Sequence, residues 1–106
     1  MAMRVGIVGG IERAEPVYER IAQKAGHEVV FHDGDVGGRG AHALARLVEA
    51  CDVVVITTDV NSHGAVRLAR ERMRRLGRTP LLVRRFGFGR FATLLAALST
   101  RDALAG

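Results

Sequence analysis

With 106 residues and a mass of 11.4 kDa, the chain holds enough material for one domain and one packed interior, with no room for a second. Hydrophobic residues at 48% and charged residues at 25% exclude a disordered or fibrous chain, and no apolar run approaches the ~20 residues of a bilayer span. The net charge of +5 is unevenly spread: residues 1–59 hold six basic and nine acidic side chains (−3), and residues 60–106 hold ten arginines against Glu71 and Asp102 (+8).

Four short apolar runs alternate with four helical patterns. Met3–Val8 reads as the first strand, stopped by Gly9-Gly10. Pro16–Ala25 is helical, with Val17, Ile21 and Ala25 four apart and Gly26 as the stop. His27–His32 forms the second strand, and 33–38 (Asp33-Gly34-Asp35-Val36-Gly37-Gly38) is a loop. Ala41–Ala50 is helical, with Leu44, Leu47 and Val48 inward.

Asp52–Thr57 is the clearest strand. Its run Val53-Val54-Val55-Ile56 is β-branched without a break, as expected of a parallel strand covered on both faces. A helix follows over Ser62–Leu76, presenting Val66, Ala69, Met73 and Leu76 on one side and ended by Gly77. Thr79–Val83 is the fourth strand, opened by Pro80, and Phe91–Leu98 is the last helix before a short frayed tail. The alternation predicts an α/β fold: a small open four-stranded parallel sheet, order 2-1-3-4, with helices on both faces, Rossmann- or flavodoxin-like.

In such sheets, ligands bind beyond the carboxyl ends of the strands, where the strand order reverses. That rule gathers Gly9 and Gly10, then His32 and Asp33, then Thr58, Asp59, Asn61, Ser62 and His63, and finally Arg84 and Arg85. Asn61 or Ser62 suits a helix cap, which leaves the rest of this polar cluster to be explained. The ends of strands two and three lie two inter-strand spacings apart, about 10 Å. His32 and His63 could share a metal across that gap, with Asp33 or Asp59 adding oxygen. Such ligands suit zinc, iron or manganese alike.

The alternative is a metal-free anion or mononucleotide site built from Gly9, Gly10, Thr58, Asn61, Ser62 and Arg84. NAD is not expected, because Gly6-Ile7-Val8-Gly9-Gly10 does not fit the dinucleotide fingerprint, and there is no P-loop and no nucleophile elbow. No positioned nucleophile–base pair is visible, so catalysis is left open. A third reading is an interaction protein using the Arg67/Arg70/Arg74 stripe and the Phe86/Phe88 loop, where the two rings otherwise read as core. Without tryptophan and with one tyrosine, a nucleic-acid partner is not expected. His27 and His42 read as surface residues, and the single Cys51 reads as a small buried side chain. With no disulfide framework and no signal-peptide pattern, the expected location is cytoplasmic.

The opening strand that ends in Gly9-Gly10, the strand that ends in His32-Asp33-Gly34, and Thr58-Asp59-Val60-Asn61-Ser62-His63 at a helix start resemble the bacterial domain of unknown function 2325 family. The likeness runs from Val5 to Arg84. It implies a small cytoplasmic Rossmann-like domain that forms a homodimer, with a redox-capable transition metal and dioxygen as ligands in some members. Relatives carry Cys where this chain has Val60 and two histidines where it has Phe31-His32, so one imidazole and no thiol remain there.

Overall fold

The computed structural model describes residues 2–105. In chain order these form β1 (Arg4–Val8), a 3-10 turn (Glu12–Ala14), α1 (Glu15–Lys24), β2 (Glu28–His32), α2 (Gly40–Ala50), β3 (Val53–Thr57), α3 (His63–Arg75), β4 (Leu81–Val83) and α4 (Phe88–Ala105). The sheet is open and parallel throughout, in the order β2-β1-β3-β4, as the alternating pattern predicts.

The β-branched run of β3 sends its side chains alternately to two apolar layers. Val54 and Ile56 pack with Val8 against Leu44, Leu47 and Val48 of α2 and Ala65, Ala69 and Met73 of α3. Val55 joins Val5 and Ile7 on the other face, against Tyr18 and Ala22 of α1 and Phe91 and Leu95 of α4. Covering both faces removes these side chains from water, the main favourable term of folding. It also leaves the edge strand β4 at the margin of the covered area, with Leu81 and Leu82 exposed.

Local chemistry sets the ends of the central helix α3. Ser62, in extended backbone, accepts the Ala65 N–H at 3.0 Å and so caps the start. At the far end Gly77 takes the left-handed conformation (φ 67°), its N–H bonding Arg74 O while Arg78 N–H bonds Met73 O. That double closure satisfies the last free carbonyls.

Three expectations need correction. α4 begins at Phe88 rather than Phe91 and continues past Leu98 to Ala105, where a frayed tail was expected. Phe88 and Gly89 fall in its first turn, where the chain has no intrahelical N–H bonds to lose, and Phe91 N–H closes the first bond onto Gly87 O. β4 starts at Leu81, not Thr79, because Pro80 has no N–H for the ladder. His27 is buried, only 4% exposed, instead of lying at the surface: its Nδ1 accepts the Met3 N–H at 3.0 Å and its Nε2 lies 2.8 Å from Ser99 Oγ. The imidazole thereby ties the start of the chain to α4.

Gly6 lets α2 settle onto the middle of β1. A Cβ there would overlap Leu47 Cδ2 and press within 3.1 Å of Cys51 Sγ. Gly6→Ala is therefore expected to cost about 1–3 kcal/mol through overpacking, read from urea denaturation. A wild-type midpoint would mean that Leu47 simply moves aside, and the close-approach account would fail.

Candidate functional site

The loops leaving β1, β2 and β3 meet at one side chain, Asn61. Its Nδ2 donates to Val8 O at 3.1 Å and to Thr57 O at 2.9 Å, while its Oδ1 accepts the Ser62 N–H at 2.9 Å. Thr57 Oγ1 adds bonds to Val8 O and Val60 O, and Ser62 Oγ donates to Gly34 O at 2.6 Å. Two glycines make room for this arrangement. A Cβ on Gly9 (φ 99°) would overlap Thr57 Oγ1 and Asn61 Nδ2, and one on Gly34 (φ 92°) would overlap Asn61 Oδ1.

The amides expected to cradle an anion are used within this clasp. Gly9 N–H bonds His32 O at 2.7 Å and Gly10 N–H bonds Val60 O at 2.6 Å. Thr58 donates both its N–H and its hydroxyl to Val83 O. The structure thus brings Gly9, Gly10, His32, Asn61 and Ser62 together, but as a mutually satisfied knot rather than an open cradle.

The proposed metal ligands do not converge. Gly34 N–H donates to His32 Nδ1 at 3.0 Å, which leaves the ring hydrogen on Nε2, 2.8 Å from Gly40 O. Both ring nitrogens of this buried imidazole therefore hold backbone. Asp33 Oδ1 accepts the Asp35 N–H, and Asp59 Oδ2 accepts the Arg85 N–H. His63 lies in a separate depression with Thr58, Val66, Arg67 and Arg70. Among the described residues no three His, Cys, Asp or Glu side chains are placed to hold a metal ion. Burial pushes the Cys51 thiol up to about 11, so it offers no thiolate at neutral pH either.

Open space at the strand ends lies on the β4 side of the clasp. A pocket of about 370 Å³ opens between Gly10 and Ile11 after β1, Asp59 after β3, Tyr18 of α1, and the 85–87 segment that leads into Phe88. This is the crevice between β1 and β3 where the strand order reverses. Its wall is aromatic: Tyr18 stacks on Phe86 with centroids 6.4 Å apart and meets Phe88 edge-on at 5.0 Å. Tyr18 Oη donates to Phe86 O at 2.5 Å and fixes the loop.

At the mouth, Arg85 holds a left-handed backbone (φ 50°), the one non-glycine among the described residues to do so. The Asp59 carboxylate accepts its N–H at 2.9 Å. That bond, helped by the nearby Arg84 charge, holds the Asp59 carboxyl below the usual carboxylate range. Of the residues expected from sequence, Gly10 and Asp59 therefore stand at the pocket, but Arg85 lines it where Arg84 was expected. Tyr18 had not been singled out, and Phe88 had been read as core although it is exposed. The paired Phe-Gly after β4 was the available signal. A second, larger depression of about 570 Å³ lies away from the strand ends, between α3 and the start of β4.

A family model described as "Uncharacterized protein conserved in bacteria (DUF2325)" matches residues 4–98. A UPF0751 protein of Bacillus anthracis (strain CDC 684) is 32% identical over 71 residues, covering 67% of this chain and 70% of that protein. A UPF0751 protein of Bacillus cereus (strain AH820) is 31% identical over the same shares. No solved structure matches.

Two outcomes are expected of the clasp and the mouth. Asn61→Ala takes the side-chain donor from Thr57 O and one of two from Val8 O and costs about 1–3 kcal/mol, while Asn61→Asp sets a carboxylate against two carbonyl oxygens and costs more; urea denaturation of both variants checks the order. Because the folded pKa of Asp59 is lowered, its contribution to stability is present above the ordinary carboxylate range and lost as pH falls through the lowered value. Asp59→Asn should flatten that acid limb of the stability profile; an unchanged limb would assign it to other carboxylates.

Proposed function

The chain belongs to the DUF2325 family, and we propose that it is a metal-free binding module for a small ligand that joins a flat ring to an anionic group, of the mononucleotide class. The observation that carries this reading is the aromatic pocket at the sheet's switch point, with a carboxylate and an arginine at its mouth. Tyr18, Phe86 and Phe88 offer ring faces and edges for stacking. Asp59 keeps lone pairs for a ligand N–H or O–H beyond the one taken by Arg85 N–H. The guanidinium of Arg85 has no ion-pair partner among the described residues and supplies a fork for phosphate.

A few convergent polar groups around an apolar floor are the usual make-up of a small-molecule site. The metal-centred alternative, with dioxygen bound at the metal, draws no support from His32, whose ring holds the backbone on both sides. A cytoplasmic setting accords with the lone, buried thiol of Cys51 and with the absence, among the described residues, of any helix long and apolar enough to cross a membrane.

Thermal denaturation with AMP, GMP, CMP, UMP or inorganic phosphate tests the proposal. A nucleotide at ~100 times its Kd adds about 2.7 kcal/mol, a rise in Tm of roughly 10 °C for a domain this size. Phe88→Ala removes a half-exposed ring and should weaken that binding about tenfold, beyond the small fall in unliganded Tm from the lost Tyr18 contact. No shift with any nucleotide, or equal shifts with phosphate alone, would remove the ring from the proposal and the pocket with it.

A further inference from the structure

A depression of about 570 Å³ runs along α3, and its lining sets four arginines against Glu71. Arg67, Arg70 and Arg74 line it, at spacings of three and four that put them on one helical face. The other arginines of this helix have partners: Arg72 bonds Glu49 and Arg75 bonds Glu71. Arg78, beside the groove, donates to the carbonyls of Val48, Cys51 and Asp52. Arg67, Arg70 and Arg74 have no ion-pair partner among the described residues. Like charges one turn apart repel, and Glu71, the one carboxylate in the lining, bonds Arg75, so the row is only partly offset within the isolated chain. The smaller depression that holds Thr58 and His63 shares Arg67 and Arg70, which continues the basic face to the start of the helix.

The opposite side is formed by Gly77, Arg78, Thr79 and Pro80, and an apolar side chain stands next to it. Leu82 pairs in register with Ile56, whose side chain packs on the α3 face, so Leu82 points to the same face of the sheet. It is 46% exposed, because no helix covers β4 on that side, and Pro80 lines the groove beside it. The surface is therefore a trough beside the roughly 20 Å of a 13-residue helix, with arginines around Glu71 on one side and Pro80 flanked by Leu82 on the other.

We infer that this trough docks an acidic amphipathic helix of another protein. A helix lying beside α3 would repeat its spacing, so that glutamates three and four apart meet Arg67, Arg70 and Arg74, and its apolar side would cover Leu82 and Pro80. A second copy of this chain does not supply such a helix. α1 mixes Glu15 and Glu19 with Arg20 and Lys24, α2 carries only Glu49, already bound to Arg72, and two copies of α3 would face arginine with arginine. A nucleic acid fits less well. The aromatic residues gather around Tyr18, away from the trough, so bases would find aliphatic groups where they need stacking platforms.

The test uses the full chain and a fluorescein-labelled 18-residue helical peptide with Glu at three-and-four spacing and Leu on the adjoining face, followed by anisotropy at ~0.15 M salt. Controls are the same peptide with Lys for Glu and a labelled 20-nucleotide single-stranded DNA. Saturable binding of the Glu peptide is expected, weakened at least tenfold by Arg67→Glu/Arg70→Glu/Arg74→Glu. The reversed protein should instead bind the Lys peptide. Leu82→Gln, on an exposed side chain, should separately weaken the Glu peptide several-fold, which a purely ionic contact would not show. The inference is overturned if the Glu peptide does not saturate, if the triple reversal leaves its affinity intact, if Leu82→Gln has no effect, or if the oligonucleotide binds more tightly. None of these residues lines the Tyr18 pocket, so each result is independent of nucleotide binding.

Discussion

The carboxyl edge of this parallel sheet depends on the amide of Asn61. Where strands end side by side, their last carbonyls and the first N–H groups of the loops lose ladder partners, and each one left buried and unpaired carries a cost. One side chain with two donors and an acceptor answers three of them at once: Val8 O, Thr57 O and Ser62 N–H. The glycines at 9 and 34 follow from this, since side chains there would occupy the space of the amide. So does the position of the cap, because Asn61 holds Ser62 where its hydroxyl reaches both Ala65 N–H and Gly34 O. The β1, β2 and β3 loops become one rigid piece, and the remaining freedom at the strand ends passes to the β4 side.

That division explains how far the chain could be read without coordinates. The unbroken Val53–Ile56 run and the three-and-four spacings of the helices specify the layers and the strand order because burial on two faces leaves a plain pattern in sequence. Polar residues at the same edge leave an ambiguous one. Gly-Gly, His-Asp-Gly and Asn-Ser-His are what a ligand cradle needs, and they are also what a loop clasp needs, since both are made of short donors and acceptors beside small residues. Only the distances show that His32 spends its ring on Gly34 and Gly40. His27 hides for a related reason. Its partner Ser99 is 72 residues away, a pairing that no local spacing announces. Tyr18 was silent because its neighbours, Phe86 and Phe88, arrive from the far end of the chain.

The charge asymmetry has a structural counterpart in α3. One face, Ala65, Ala69 and Met73, is small and apolar and lies flush on the sheet. Another carries Arg72 and Arg75, each matched to a glutamate. A third carries three arginines around Glu71, whose carboxylate goes to Arg75, and these three have no ion-pair partner among the described residues. A general compositional bias toward arginine would spread matched and unmatched residues over the exposed helix alike. Their separation onto one face, beside a leucine that the fold leaves in water, is the pattern of a surface shaped for something outside the domain.

Arg85 makes the same argument at the pocket. A left-handed backbone costs a side-chain-bearing residue on the order of 1 kcal/mol or more, and glycine would adopt it freely. The chain spends glycines readily in this region, at 87 and 89, two and four residues on. Asp59 offsets part of the strain by accepting the Arg85 N–H, yet that bond needs only the backbone and would survive a glycine. What a glycine would not keep is the guanidinium at the mouth of an aromatic cavity. Stability alone favours glycine at 85, so the arginine there is best understood by what its side chain meets.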